Sequence, residues 1–161
     1  MEQALPAPGL LRRLAAMSYD TLLVFALFFA ATGLYQYGAQ LLGLGTVSAT
    51  VSTGEVITEL EPVASGIVFR LYLVLVMLVF FVWFWRNNGQ TLGMQVWRLR
   101  LDDVEGGRIS YGKAILRFAF AWLSALCFGL GYLWVLVDKD KCSWHDRLSG
   151  SRVVQLPKPG R

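Results

Sequence analysis

Ala114–Val137, AILRFAFAWLSALCFGLGYLWVLV, is the stretch whose reading decides the topology. Arg117 is its only charge, and as one continuous helix at 1.5 Å per residue it is long enough to span a hydrocarbon core of about 30 Å. A single crossing would leave the tail outside. Yet Lys139, Lys141, Arg147, Arg152, Lys158 and Arg161 outnumber Asp138, Asp140 and Asp146 in that tail, and basic flanks mark the cytoplasmic side. Phe128-Gly129-Leu130-Gly131 interrupts the run near its middle. The expectation is therefore a re-entrant pair of half-helices turning at the glycines, with a full span as the alternative. Each half of about 12 residues would reach about 18 Å, so the turn must be shielded by protein to keep its backbone groups paired.

The rest of the chain is equally suited to lipid. Apolar residues make up 55% against a usual share of about 45–50%, and charged residues 16% against about 25%, which excludes a disordered chain. No charge occurs from Thr21 to Gly54 or from Leu71 to Trp85. The pattern predicts an all-α membrane protein: a first helix over about 11–37, an exterior loop over 38–66 with Glu55, Glu59 and Glu61 and no Lys or Arg, and a second helix over about 67–85. A cytoplasmic loop over 86–113, the apolar segment over about 114–137 and a cytoplasmic tail over 138–161 complete a single membrane domain. Arg86, Arg98, Arg100, Arg108 and Lys113 place the 86–113 loop inside, and with it the amino terminus. The net charge of +4 is thus read as orientation in the cytoplasmic membrane, and nucleic acid is not an expected partner. Asp20 lies where the apolar region of a secretory signal would begin, and the run continues past Tyr35, so a retained helix is expected.

Within the loop, Val96–Asp102 alternates, with Trp97, Leu99 and Leu101 on one face and Arg98, Arg100 and Asp102 on the other. Asp102-Asp103-Val104-Glu105-Gly106-Gly107 supplies a turn, and Arg108-Ile109-Ser110 a return strand, predicting a small cytoplasmic hairpin. Ser151–Leu156 is a further strand that could cover one edge.

The charges nearest lipid are the candidate functional residues. Asp20, near the start of a transmembrane helix, needs a partner, and Arg13 two turns earlier or Arg117 across a helix pair are the candidates. Such a carboxylate either forms a structural ion pair or binds a proton or cation. Ser143-Trp144-His145-Asp146 has capping-box spacing, while His145 with Asp146 is the alternative titrating element. No metal or cofactor is expected: His145 is the only histidine, and Cys142-x-x-His145 has no second pair. No nucleophile–base–orienter set is present, so an enzyme is not expected.

In order along the chain, Arg12-Arg13-Leu14-Ala15 through Asp20, then Gly89-Gln90-Thr91-Leu92-Gly93, then Leu130-Gly131-Tyr132-Leu133-Trp134 through Asp138 and His145-Asp146-Arg147-Leu148-Ser149-Gly150 resemble the motifs of the RDD family of bacterial membrane proteins. The resemblance implies that Arg13 or its neighbour Arg12, Asp20 and Asp146 are the residues for which the family is named. Cys142, Ser143 and Trp144 depart from its usual Gln-Thr-Leu, and Tyr19 from its usual aliphatic. The resemblance further implies a role in transport, some members being similar to sodium–proton antiporters. Two functions follow. One is a small homo-oligomeric transporter or transport accessory in which Asp20 binds a proton or cation and Arg13, Arg117 and Asp146 tune it. The other is a structural or interaction protein that docks a membrane or cytoplasmic partner through its cytoplasmic hairpin and tail.

Overall fold

The computed structural model describes residues 5–44, 47–52, 55–60 and 66–158. They group into two compact units, Met1–Leu23 with Leu78–Arg161, and Val24–Met77. Two helices, α1 (Leu10–Leu41) and α2 (Ile67–Asn87), are long and apolar enough to cross a membrane. Both run a few residues beyond the ends expected from sequence.

In the second unit, the Tyr72 hydroxyl donates to the Ala31 carbonyl at 3.2 Å, and the Tyr35 ring packs 5.1 Å from Phe69 and 5.3 Å from Tyr72. The segment expected as a loop contains an antiparallel pair, β1 (Val47–Ser52) and β2 (Glu55–Leu60), in register from Val47–Leu60 to Ser52–Glu55. The β-branched run Val47 to Ile57 explains the pair: such side chains favour extended backbone.

In the first unit, α2 leads into a short helix α3 (Leu92–Val96), whose N-cap Thr91 accepts from the Met94 N–H at 3.2 Å. Strand β3 (Leu99–Asp103) follows. The expected local hairpin is not formed. Gly106 N–H donates to Asp103 O and Asp103 N–H to Gly107 O, closing a tight turn, and Ser110 is then consumed as the N-cap of α4 (Tyr111–Leu126), accepting from Lys113 N–H. Residues 108–110 form no strand that could return along β3. The partner of β3 is instead β4 (Ser151–Gln155), antiparallel from Leu99–Gln155 to Asp103–Ser151. The expected alternation also starts late and ends early. Arg98 adopts φ 54, so the strand begins at Leu99, and both Asp102 and Asp103 are buried. Leu99, Leu101 and Val153 share one face of this two-stranded sheet and are buried, Val154 is buried on the other face opposite Arg100, and Ile109 is fully enclosed.

The third apolar segment is not one continuous helix. After α4, Phe128 and Gly129 take φ 55 and 76 in succession, the left-handed region that an α-helix cannot pass through. The chain resumes as α5 (Leu130–Leu133) and a 3₁₀ turn (Trp134–Leu136), bent 107° from α4. The expected equal halves are also corrected: α4 has 16 residues, and the second arm is a four-residue α turn followed by three residues of 3₁₀ helix. The chain then returns through α6 (Trp144–Leu148) and packs against the entrance of α4.

Candidate functional site: two buried carboxylates and what they hold

Asp146 is fully buried, and three segments distant in sequence converge on it. Ser143 caps α6 with a full capping box, as its S-x-x-D spacing predicts: Asp146 N–H donates to the Ser143 hydroxyl at 3.3 Å, and Ser143 N–H donates back to Asp146 Oδ2 at 2.9 Å. The same Oδ2 accepts from Arg13 Nη1 of α1 at 2.6 Å, while Oδ1 accepts from Arg117 Nη1 of α4. Arg13 also donates to the Lys141 carbonyl and Arg117 to the Ser151 hydroxyl, each at 2.8 Å. The Arg117 guanidinium further lies over the Trp85 ring, 5.3 Å from its centroid. One carboxylate thus clamps the starts of α1 and α4 and the closing segment.

Two guanidinium groups on one carboxylate leave a net buried charge of +1. Burial alone would raise the Asp146 carboxyl, but Arg117 and Arg13 overcome it and hold that group far below the usual carboxylate range. Its neighbour His145 is lowered as well, which for an imidazole favours the neutral form. Burial first, then the repulsion of Arg117, pushes its imidazole down to about 3, so at neutral pH it is uncharged. Its ring packs 4.8 Å from Tyr132. His145 Nδ1, Ser124 Oγ and the Nε atoms of Arg13 and Arg117 make no hydrogen bond among the described residues.

Asp20 is a separate centre. Neither Arg13 nor Arg117 reaches it, correcting the expected ion pair; both are committed to Asp146. Asp20 Oδ2 accepts from the Thr91 hydroxyl at 2.5 Å, and Oδ1 from the Gly93 N–H at 2.8 Å. Because Thr91 Oγ1 already accepts from Met94 N–H, its single proton is directed at Asp20. Gly93 is required by close approach: a Cβ there would lie 2.2 Å from the Ala16 carbonyl oxygen and 2.9 Å from Asp20 Cγ. Asp20 therefore fastens the Gly89–Gly93 loop to α1.

Of the residues singled out from sequence, Arg13, Arg117, His145 and Asp146 come together, Asp20 lies apart, and Arg12 is exposed with no ion pair among the described residues. Thr91 and Gly93 as the partners of Asp20, and Ser151 beside Arg117, went unforeseen; the Gly89–Gly93 motif was their only trace. Cys127 and Cys142 are free thiols, and no metal-binding group occurs among the described residues.

Two helices long and apolar enough to cross a membrane are the composition of an integral membrane protein. The chain matches the RDD family over residues 7–150 and belongs to that family. Membership agrees with the two span-capable helices in indicating an integral membrane protein. No curated protein and no solved structure matches the chain.

Proposed function

We propose that this is a multi-pass protein of the bacterial cytoplasmic membrane that acts by docking, not by catalysis. Its amino terminus, the 86–113 segment and its tail share the cytoplasmic side, and the third apolar segment re-enters. The meeting of Arg13, Arg117 and Asp146 supports this topology, because it puts the entrances of α1 and α4 at the level of the tail. In this reading the protein is a homo-oligomer that presents its β3–β4 sheet and tail to a membrane or cytoplasmic partner. The observation that carries it is the commitment of all four oxygens of Asp20 and Asp146 to donors within the chain.

Transport is the second reading, and one feature favours it: Asp20 is buried with no cation beside it among the described residues, as a proton- or cation-binding carboxylate requires. Asp20→Asn separates the two. An amide cannot accept from both Thr91 and Gly93, so in the docking reading the variant loses about 1–3 kcal/mol of stability, and cation-driven pH changes in everted vesicles do not depend on residue 20. Normal membrane levels with a cation-driven pH change that disappears in Asp20→Asn would establish transport instead.

A further inference from the structure

We propose that the corner of the first unit where α1 begins, α3 ends and β4 ends docks the phosphate headgroups of anionic phospholipids. The proposal rests on the membrane placement above and adds which lipid the protein selects, and by which residues.

Two backbone hydrogen bonds build the corner. Gln155 N–H donates to the Pro6 carbonyl at 2.9 Å, and Leu156 N–H to the Arg98 carbonyl at 2.8 Å. They draw together the lead-in to α1, the turn after α3 and the end of β4, the segments that carry or adjoin Arg12, Arg98 and Lys158. Among the described residues, the acids of this unit are spoken for elsewhere. Asp102 pairs with Arg100, Asp103 and Glu105 with Lys113, Asp138 and Asp140 with Arg147, and Asp146 with Arg13 and Arg117. Asp20 is held by Thr91 and Gly93. Arg12, Arg98 and Lys158 make no ion pair among the described residues, and Arg12 and Lys158 are exposed. Among the described residues, the corner is a cationic surface with no paired acid.

Beside it lies an apolar plate of the kind that enters a bilayer interface. Gly93 presses α3 onto α1 at Ala16 and Asp20, leaving Leu92 41%, Val96 59% and Trp97 36% exposed, with Leu11 of α1 82% exposed. Apolar side chains, a tryptophan and adjacent guanidinium groups are the composition of an interfacial anchor, the aromatic at headgroup depth and the cations on phosphate. Anionic headgroups match the corner in charge; zwitterionic ones do not.

The full-length protein is reconstituted in phosphatidylcholine nanodiscs with and without phosphatidylglycerol, and retained phosphatidylglycerol is counted by native mass spectrometry. The R12Q/R98Q/K158Q variant is compared with R108Q/K139Q/R152Q, which removes the same charge away from the corner. Arg108 follows the turn at the opposite end of the sheet. At roughly a factor of five per cation near an anionic surface, the corner variant loses preference for phosphatidylglycerol about a hundredfold, and the control keeps most of it. A thermal midpoint equal to wild type in phosphatidylcholine alone shows that the corner variant is folded; if it is not, R12Q alone carries the test, with about a fivefold loss expected. Equal losses in both variants, no loss in the corner variant, or displacement of the lipid by inorganic phosphate overturns the proposal. Failure of the wild type to enter nanodiscs overturns the membrane placement itself.

Discussion

Asp146→Asn isolates the charge of the clamp while keeping its shape. The best orientation of the amide places its oxygen where Oδ2 was, retaining Arg13 Nη1 and Ser143 N–H, and turns its NH₂ toward Arg117. Arg117, 6% exposed, then keeps only the Ser151 hydroxyl and the Trp85 face, and the buried net charge rises from +1 to +2. Breaking a buried pair from one side costs about 3–5 kcal/mol, which for a chain of this length lowers the melting midpoint by about 10 °C. Arg117→Met works in the opposite sense on the charge. It leaves Arg13 and Asp146 as a balanced pair and strands one carboxylate oxygen, for about 1–3 kcal/mol. Tryptophan fluorescence melts in detergent or nanodiscs give the order directly: Asp146→Asn must fall below Arg117→Met. If the two variants melt together, or Arg117→Met is the worse, the net positive charge is not what makes the clamp vulnerable, and the reasoning fails.

Gly93→Ala drives a Cβ to 2.2 Å from a backbone oxygen that no side-chain rotation can relieve. The Gly89–Gly93 loop should lift from α1 at a cost of about 1–3 kcal/mol, read as faster proteolysis of that loop and faster amide exchange at Gly93. His145 gives a pH signature. Its folded pKa lies below its unfolded one, so its contribution is complete above pH 6.5 and is lost as pH falls toward about 3. Stability should drop by about 1.4 kcal/mol per pH unit across that window, and His145→Phe should remove this slope in melts at stepped pH. A slope of the same size in the variant would assign it to other groups.

Much of the site was readable as residue types, less of it as partnerships. The need of Asp20 for a partner follows from a carboxylate beside an apolar run, but basic side chains were the wrong place to look. A threonine hydroxyl and a backbone N–H carry no charge, and only the folded Gly89–Gly93 loop aims them. The capping box was legible because it is local. That its Asp146 would also receive Arg13 and Arg117 was not, since those contacts span 133 and 29 residues. The turn at Asp103–Gly107 was recognised, yet its expected strand was spent on starting α4, so the strand foreseen only as an edge cover became the sole partner of β3. The β1–β2 pair was missed because the absence of basic residues in 38–66 was read only as an exterior loop.

The clamp also has a consequence for the order in which the chain is made. Arg13 is synthesised well before its counter-charge, which lies 133 residues later. At about 5–20 residues per second it waits roughly 7–27 s for Asp146 to emerge. Until then α1 carries an unneutralised guanidinium at its entrance, which only a chain synthesised through α6 can bury. A chain stalled or cut before α6 therefore leaves Arg13 without the carboxylate and the Lys141 carbonyl that receive it in the folded protein.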